Sequence, residues 1–141
     1  MILLDTDHLS VLQIPSSDRR ARLVGRMTLT SDEQFGATIV SVEEQMRGWL
    51  STIAKERSVE RHVAPYRELG RLIEFFQAFT LAPFDDRAAD PFGNLRSARV
   101  RIGTMDLKIA AIALINNALL LTGNRSDFEK VPGLRFENWM D

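Results

Sequence analysis

The sequence predicts an α/β fold built on a mostly parallel sheet, and three observations carry that expectation. Short apolar runs alternate with longer segments of helical periodicity along the whole chain. The apolar runs are continuous rather than alternating, as in parallel strands buried on both faces. Several of them end close to a carboxylate, which lines acids along the strand edge where open α/β sheets bind their ligands. Such strands are joined by right-handed crossovers.

At 141 residues the chain has the size of one domain, residues 1–141, with length enough to bury a core. Hydrophobic residues make up 45% and charged residues 26%, an ordinary globular composition that argues against disorder. There is no run of about 18 apolar residues, and the N-terminal apolar stretch is too short and lacks the basic flank of a signal peptide. The expectation is a cytoplasmic protein without a membrane partner. The absence of cysteine excludes disulfides, thiolate chemistry and cysteine-bound zinc, and with only His8 and His62 a histidine-rich metal site is excluded as well. Any metal must be held by oxygen. The net charge is −1, but 15 of the 18 basic residues are Arg. A planar guanidinium suits phosphate, whereas a GC-rich genome also raises Arg usage, so the skew is a mild pointer to nucleic acid.

The first strand is the Ile2-Leu3-Leu4 run, which delivers Asp5 to its C-terminal end. Thr6 to Gln13 follows as a helix stopped before Pro15. Ser16 or Ser17 caps a second helix carrying Arg19, Arg20, Arg22 and Arg26, with Leu23 and Met27 on its apolar face. A solvated face and an RNA-facing patch both account for those arginines. Phe35 to Val42, rich in β-branched residues, reads as the second strand. It runs into a helix whose apolar positions Val42, Met46, Trp49, Leu50 and Ile53 keep helical spacing, with Ser41 and Glu44 matching a capping box.

A further amphipathic helix spans His62 to Phe79, and together with its predecessor it could cover the sheet or pair with a second copy of the chain. Thr80 to Phe84 is a short strand before the acidic turn Asp85-Asp86. Arg87 to Val100 is helical in pattern but is interrupted by Pro91 and Gly93, which predicts two short pieces. Gly103-Thr104 opens a helix apolar nearly all round, and such a helix is buried. Asp106 lies in its first turn, where the helix dipole favours a carboxylate. Ala118 to Thr122 is a strand, Gly123 to Asp127 turns into a short helix, and the Pro132-Gly133 turn introduces a last strand, Leu134 to Glu137.

Asp5, Glu44 and Asp127 thus each follow a strand or its turn, and Asp106 comes from a helix N-terminus at the same edge. Crowded carboxylates repel one another and take up protons unless a cation neutralises them. Mg²⁺ or Mn²⁺ fits an all-oxygen site of this kind, and metal-assisted phosphodiester hydrolysis is the chemistry it best supports.

These residues resemble the PIN-domain family, specifically the VapC-type toxins of bacterial toxin–antitoxin pairs. MILLDTD resembles the family's apolar strand ending in Asp-Thr, and SVEEQMRGW its Glu-x-x-x-Gly pattern, which aligns Glu44 with Gly48. IGTMDLKIAAIAL resembles the Ile-Gly-x-x-Asp-x-x-Ile-Ala-Ala segment and matches Asp106, while LLLTGNRSDFEKVPGLRFENW resembles the closing segment. The resemblance runs from end to end, although residues 55–84 carry no recognisable motif. It implies a PIN-like three-layer α/β/α sandwich and an Mg²⁺- or Mn²⁺-dependent endoribonuclease. It also implies a homodimer, an RNA substrate and inhibition by a cognate antitoxin. Asp5, Glu44 and Asp106 match the metal-binding acids, with Asp127 the fourth catalytic candidate. The family's fourth acid position is occupied here by Asn124, and Asp7 stands where relatives often carry Asn; Asp7, Thr122 and Asn124 are expected around the metal ligands. An antitoxin would lie along the helices bearing Trp49 and Phe76.

Two other readings remain open. A PIN-like fold without activity would serve as a scaffold for a partner protein. The Asp5-Thr6-Asp7 motif also resembles the nucleophile motif of haloacid-dehalogenase-like phosphatases, in which Asp5 would form an aspartyl-phosphate, but Leu9 departs from that pattern and the chain is short for it.

Overall fold

A computed structural model describes residues 1–30 and 33–141. Its centre is a five-stranded sheet of β1 (Ile2–Leu4), β2 (Phe35–Thr38), β3 (Thr80–Ala82), β4 (Leu119–Leu121) and β5 (Arg135–Glu137). The order across the sheet is β3-β2-β1-β4-β5 and every pairing is parallel. The first strand in sequence is therefore the central one, with Leu3 opposite Gly36 on one side and Leu120 on the other. Gly36 is required by close approach, because a Cβ there would lie 2.7 Å from the carbonyl oxygen of Thr80 on β3.

Helices cover both faces. They are α1 (Thr6–Gln13), α2 (Asp18–Leu29), α3 (Ile39–Lys55), α4 (Val63–Phe76), α5 (Asp86–Ser97), α6 (Thr104–Ile115) and α7 (Arg125–Phe128). Side chains leave a strand on alternate faces, and the two cores divide accordingly. Ile2, Leu4 and Leu121 pack with Leu9 of α1, Leu23 of α2, and Leu72 and Phe76 of α4. Leu3 and Leu120 pack on the opposite face with Leu95 of α5, Ile109 and Ile112 of α6, and Phe128 of α7. Each large side chain so buried contributes roughly 1.5–3 kcal/mol. The result is a three-layer α/β/α sandwich. Among the described residues no helix is long and apolar enough to cross a membrane.

Several boundaries differ from the sequence expectation for identifiable reasons. β2 ends at Thr38 rather than Val42, because the Thr38 hydroxyl accepts the Ser41 N–H at 3.1 Å and starts α3 four residues early. The Ser41–Glu44 capping box therefore does not form, and Glu44, in the second turn, has no capping duty. Residues 86–97 form one helix instead of two pieces. The Asp85 carboxylate caps it by accepting from Arg87 and Ala88 N–H, while Ala88 and Leu95 are buried in the core. That anchoring outweighs the single backbone bond Pro91 cannot make. A 3-10 turn, Glu60–His62, precedes α4, which stops at Phe76 rather than Phe79. Ser17, and not Ser16, caps α2 through the N–H of Arg20.

Candidate active site

Asp5 leaves the C-terminal end of β1 as the N-cap of α1 and is buried. Its Oδ1 accepts the Thr6 N–H at 2.8 Å and its Oδ2 accepts the hydroxyl of Thr122 at 2.7 Å. Thr122 is itself buried at the end of β4, and its Oγ1 accepts the N–H of Asn124 at 3.0 Å. Burial pushes the Asp5 carboxyl up to about 7; Asp7 and Asp106 add repulsion, against the lowering bonds from Thr122 and Thr6.

Asp106 projects from the first turn of α6 and is half-buried. Its carboxyl is raised by burial, then by the charges of Asp127 and Asp7. The side-chain amide of Asn124 bridges the two acids of this side, donating to Asp127 Oδ2 at 3.0 Å and reaching Asp106 Oδ2 at 3.5 Å. Lys130 stands 3.8 Å from Asp127. Glu44 comes from α3, where burial and the charge of Asp106 raise its carboxyl and Thr6 pulls it back in part.

Asp7 sits on the other flank. Its Oδ2 accepts the Gly123 N–H and its Oδ1 meets His8 Nδ1, each at 2.7 Å. Burial raises this carboxyl too, but the His8 and Gly123 hydrogen bonds outweigh it and leave Asp7 below the usual carboxylate range. A Cβ on Gly123 would lie 3.0 Å from Asp7 Oδ2, a tight approach that requires the carboxylate or the turn to shift by a few tenths of an ångström.

The predicted residues thus gather at one strand edge: Asp5 with Thr122, Asp106 with Asn124 and Asp127, and Glu44 and Asp7 within electrostatic range of Asp106. Among the described residues no three Asp, Glu or His side chains stand close enough together to enclose one ion. The donor set nonetheless suits a hard divalent cation. It is all oxygen, and Glu44 Oε1 is shielded from solvent without a hydrogen-bond partner. A buried carboxylate oxygen in that state lacks the positive partner its chemistry requires.

Sequence reasoning missed two parts of the site. The backing of Asp7 by His8 could have been suspected from their adjacency, but nothing in the sequence shows that the backbone of Trp139 reaches His8, as it does at 3.2 Å. The arginines of α2 are ambiguous in sequence; Arg20 donates to the Leu12 carbonyl of α1, and the other three face the chain's own C-terminal segment. Arg22 Nε donates to the Met140 carbonyl at 2.7 Å, Arg26 lies 4.5 Å from the centre of the Trp139 ring and 3.5 Å from Glu137, and Arg19 approaches Asp141.

No family model matches the chain. It is 32% identical over 84 residues to the tRNA(fMet)-specific endonuclease VapC of Salmonella typhimurium, a match covering 57% of this chain and 64% of that protein. It is 40% identical over 67 residues to the ribonuclease VapC of Rickettsia bellii, covering 44% and 50% respectively. The matched stretch therefore spans less than two thirds of these relatives. In three dimensions the likeness extends over the whole chain. The DNA-bound VapBC crystal structure from Salmonella typhimurium superposes with a TM-score of 0.74 at 25% identity, covering 99% of both chains. The VapBC2 structure from Rickettsia felis, bound to a DNA fragment from its promoter, gives 0.72 at 23% identity, again covering 99% of both. The chain thus shares its fold from end to end with chains of VapBC complexes, and over 57% of its length it is similar in sequence to VapC ribonucleases.

Proposed function

We propose that the protein is a divalent-metal-dependent endoribonuclease that hydrolyses RNA phosphodiester bonds, as the toxin of a toxin–antitoxin pair. One observation carries the reading: Asp5, Glu44 and Asp106 share a strand edge, and all three carboxyls are raised by burial and by neighbouring charge. Such an arrangement is unfavourable for folding and gains its use when a cation is present. Asp5, Glu44 and Asp106 would hold Mg²⁺ or Mn²⁺, with Asp127 or Asn124 completing the set. The ion, when bound, supplies water activation and charge stabilisation at the phosphodiester.

The remaining roles fall to the chain's own groups. Thr122 and the Thr6 amide fix both oxygens of Asp5, so that carboxylate is aimed rather than free to rotate. Asn124 spaces Asp106 from Asp127. Exposed Arg101, Arg125 and Lys130, on the segments flanking Asp106 and Asp127, would attract the phosphate backbone. For the antitoxin, the groove between α3 and α4 is lined by Val42, Met46, Leu72, Ile73, Phe76 and Leu81 and offers apolar surface for a partner helix. Ile73 and, on the neighbouring rim, Leu50 are about half exposed (49% and 50%), whereas Phe76 lies at the base of the groove and belongs to the core.

The scaffold reading is favoured by one observation, the lack of three acids close enough to enclose an ion among the described residues. Cleavage of a structured RNA mixture by wild-type protein with Mn²⁺, with EDTA, and by Asp5→Asn separates the two. Cutting that needs both the ion and Asp5 supports the nuclease; no cutting by folded, antitoxin-free protein on several RNA classes supports the scaffold.

A further inference from the structure

His8 is completely buried, and both of its ring nitrogens are engaged. Nε2 lies 3.2 Å from the backbone N–H of Trp139. A backbone amide can only donate, so Nε2 must carry the lone pair and the ring proton must sit on Nδ1. There it is donated to Asp7 Oδ1 at 2.7 Å. The other oxygen of Asp7 accepts the Gly123 amide, and Gly123 separates Thr122, bonded to Asp5, from Asn124, bonded to Asp127.

Trp139 is in turn held from several sides. It is buried, its indole N–H donates to Glu137 at 2.6 Å, its ring meets Phe35 edge-on, and Arg26 covers it. The following carbonyl, that of Met140, accepts from Arg22. A continuous line of contacts therefore runs from the arginines of α2, through the C-terminal segment and His8, to the turn that carries Thr122 and Asn124.

Building on the nuclease reading, we propose that His8 is a positioning residue: held as the Nδ1–H tautomer by the Trp139 amide, it fixes Asp7, and Asp7 fixes the Gly123 turn that aims Thr122 and Asn124 at the acids. His8 touches neither substrate nor reacting atoms. Its contribution is to make the end of β4 rigid relative to the end of β1, and residues 137–140 are its backing. A histidine that merely filled core space would need no defined tautomer and would not distinguish among polar replacements of similar size.

The first test uses wild-type protein. The two ¹⁵N resonances of His8 at neutral pH should report a protonated Nδ1 and an unprotonated Nε2; an Nε2–H tautomer or a doubly protonated ring overturns the proposal. The second test uses His8→Asn, whose side-chain amide occupies the Nδ1 position, and His8→Gln, whose amide reaches only toward Nε2. In EDTA, hydrogen exchange at the Gly123 amide should quicken about tenfold or more in His8→Gln and stay near wild type in His8→Asn. With Mn²⁺ and a tRNA mixture, kcat should fall about 10- to 100-fold in His8→Gln, with KM unchanged, and should be largely restored in His8→Asn. Equal behaviour of the two variants in exchange and in kcat overturns the proposal. If wild-type protein cuts no RNA, the nuclease reading fails while the tautomer and exchange results still decide the role of His8. If neither variant folds, the wild-type ¹⁵N spectrum decides it.

Discussion

The Thr122 hydroxyl donates to Asp5 Oδ2 at 2.7 Å, joining the ends of two neighbouring strands that are 117 positions apart in sequence. Both groups are buried, so neither can exchange the bond for water. Thr122→Val keeps the shape of the side chain and removes the donor. The expected loss is about 1–3 kcal/mol once Asp5 is ionised, since a hydrogen bond to a charged group is withdrawn. Because the Asp5 carboxyl is raised to about 7, the stability gap between variant and wild type should widen from pH 6 to pH 8 in denaturant titrations.

Metal-free stability should fall as pH rises. Asp5 has a folded-state pKa near 7 against an ordinary value of 3.8, so its stabilising contribution is complete below about 3.8 and is lost as pH climbs through 7. The shift corresponds to roughly 4 kcal/mol, and Glu44 and Asp106, also raised, act in the same direction. Thermal melts in EDTA between pH 5 and pH 8 should show the decline. Asp5→Asn should flatten it and be the more stable protein at pH 8.

Glu44→Gln addresses the unpartnered oxygen. It removes a charge that the apo fold accommodates poorly, so the EDTA melt should stay level or rise. It also removes a proposed ligand, so the rise in melting temperature that Mn²⁺ gives wild-type protein should largely disappear. A variant that keeps the full Mn²⁺ response takes Glu44 out of the site.

Gly123→Ala places a methyl group about 3.0 Å from Asp7 Oδ2 and requires the turn or the carboxylate to give way. A cost of about 1–3 kcal/mol is expected from such overpacking. The melt should show it together with reduced cleavage, and an unchanged protein would mean the turn is loose.

The apolar rim of α3 and α4 yields a prediction independent of the acids. Leu50→Asp combined with Ile73→Asp alters exposed side chains, so the stability of the folded monomer should change by only about 0.5 kcal/mol per substitution. If the homodimer forms over this rim, light scattering should show wild-type dimers and variant monomers, with metal-dependent cleavage retained by the folded monomer.

Much of the fold was legible because strand and helix signals agreed. Ile2–Leu4 and Leu119–Leu121 are short, apolar and bounded, and Thr104–Ile115 is apolar all round because both the sheet and α5 cover it. Failures occurred where local chemistry had two solutions. Thr38 and Ser41 can each cap a helix, and in the fold Thr38 takes the cap while Val40, in the first turn, packs into the core. Pro91 reads as a break in sequence, yet a capped and well-anchored helix absorbs one missing bond. In the site, the acids could be listed from their strand-end positions. Which oxygen bonds to which donor depends on partners more than a hundred residues away, as with Asp7 and Gly123 or His8 and Trp139.

The place of β1 at the middle of the sheet has a kinetic consequence. Its pairing with β2 closes a loop of about 30 residues, but its other edge stays bare until residues 119–121 arrive. Closing so long a loop is entropically costly and slow relative to local helix formation. The bond between Asp5 and Thr122 therefore forms only once β4 has docked beside β1. On the nuclease reading, cutting should appear in refolding only together with the native contacts between β1 and β4, and an earlier return of cutting would separate activity from the Asp5–Thr122 bond.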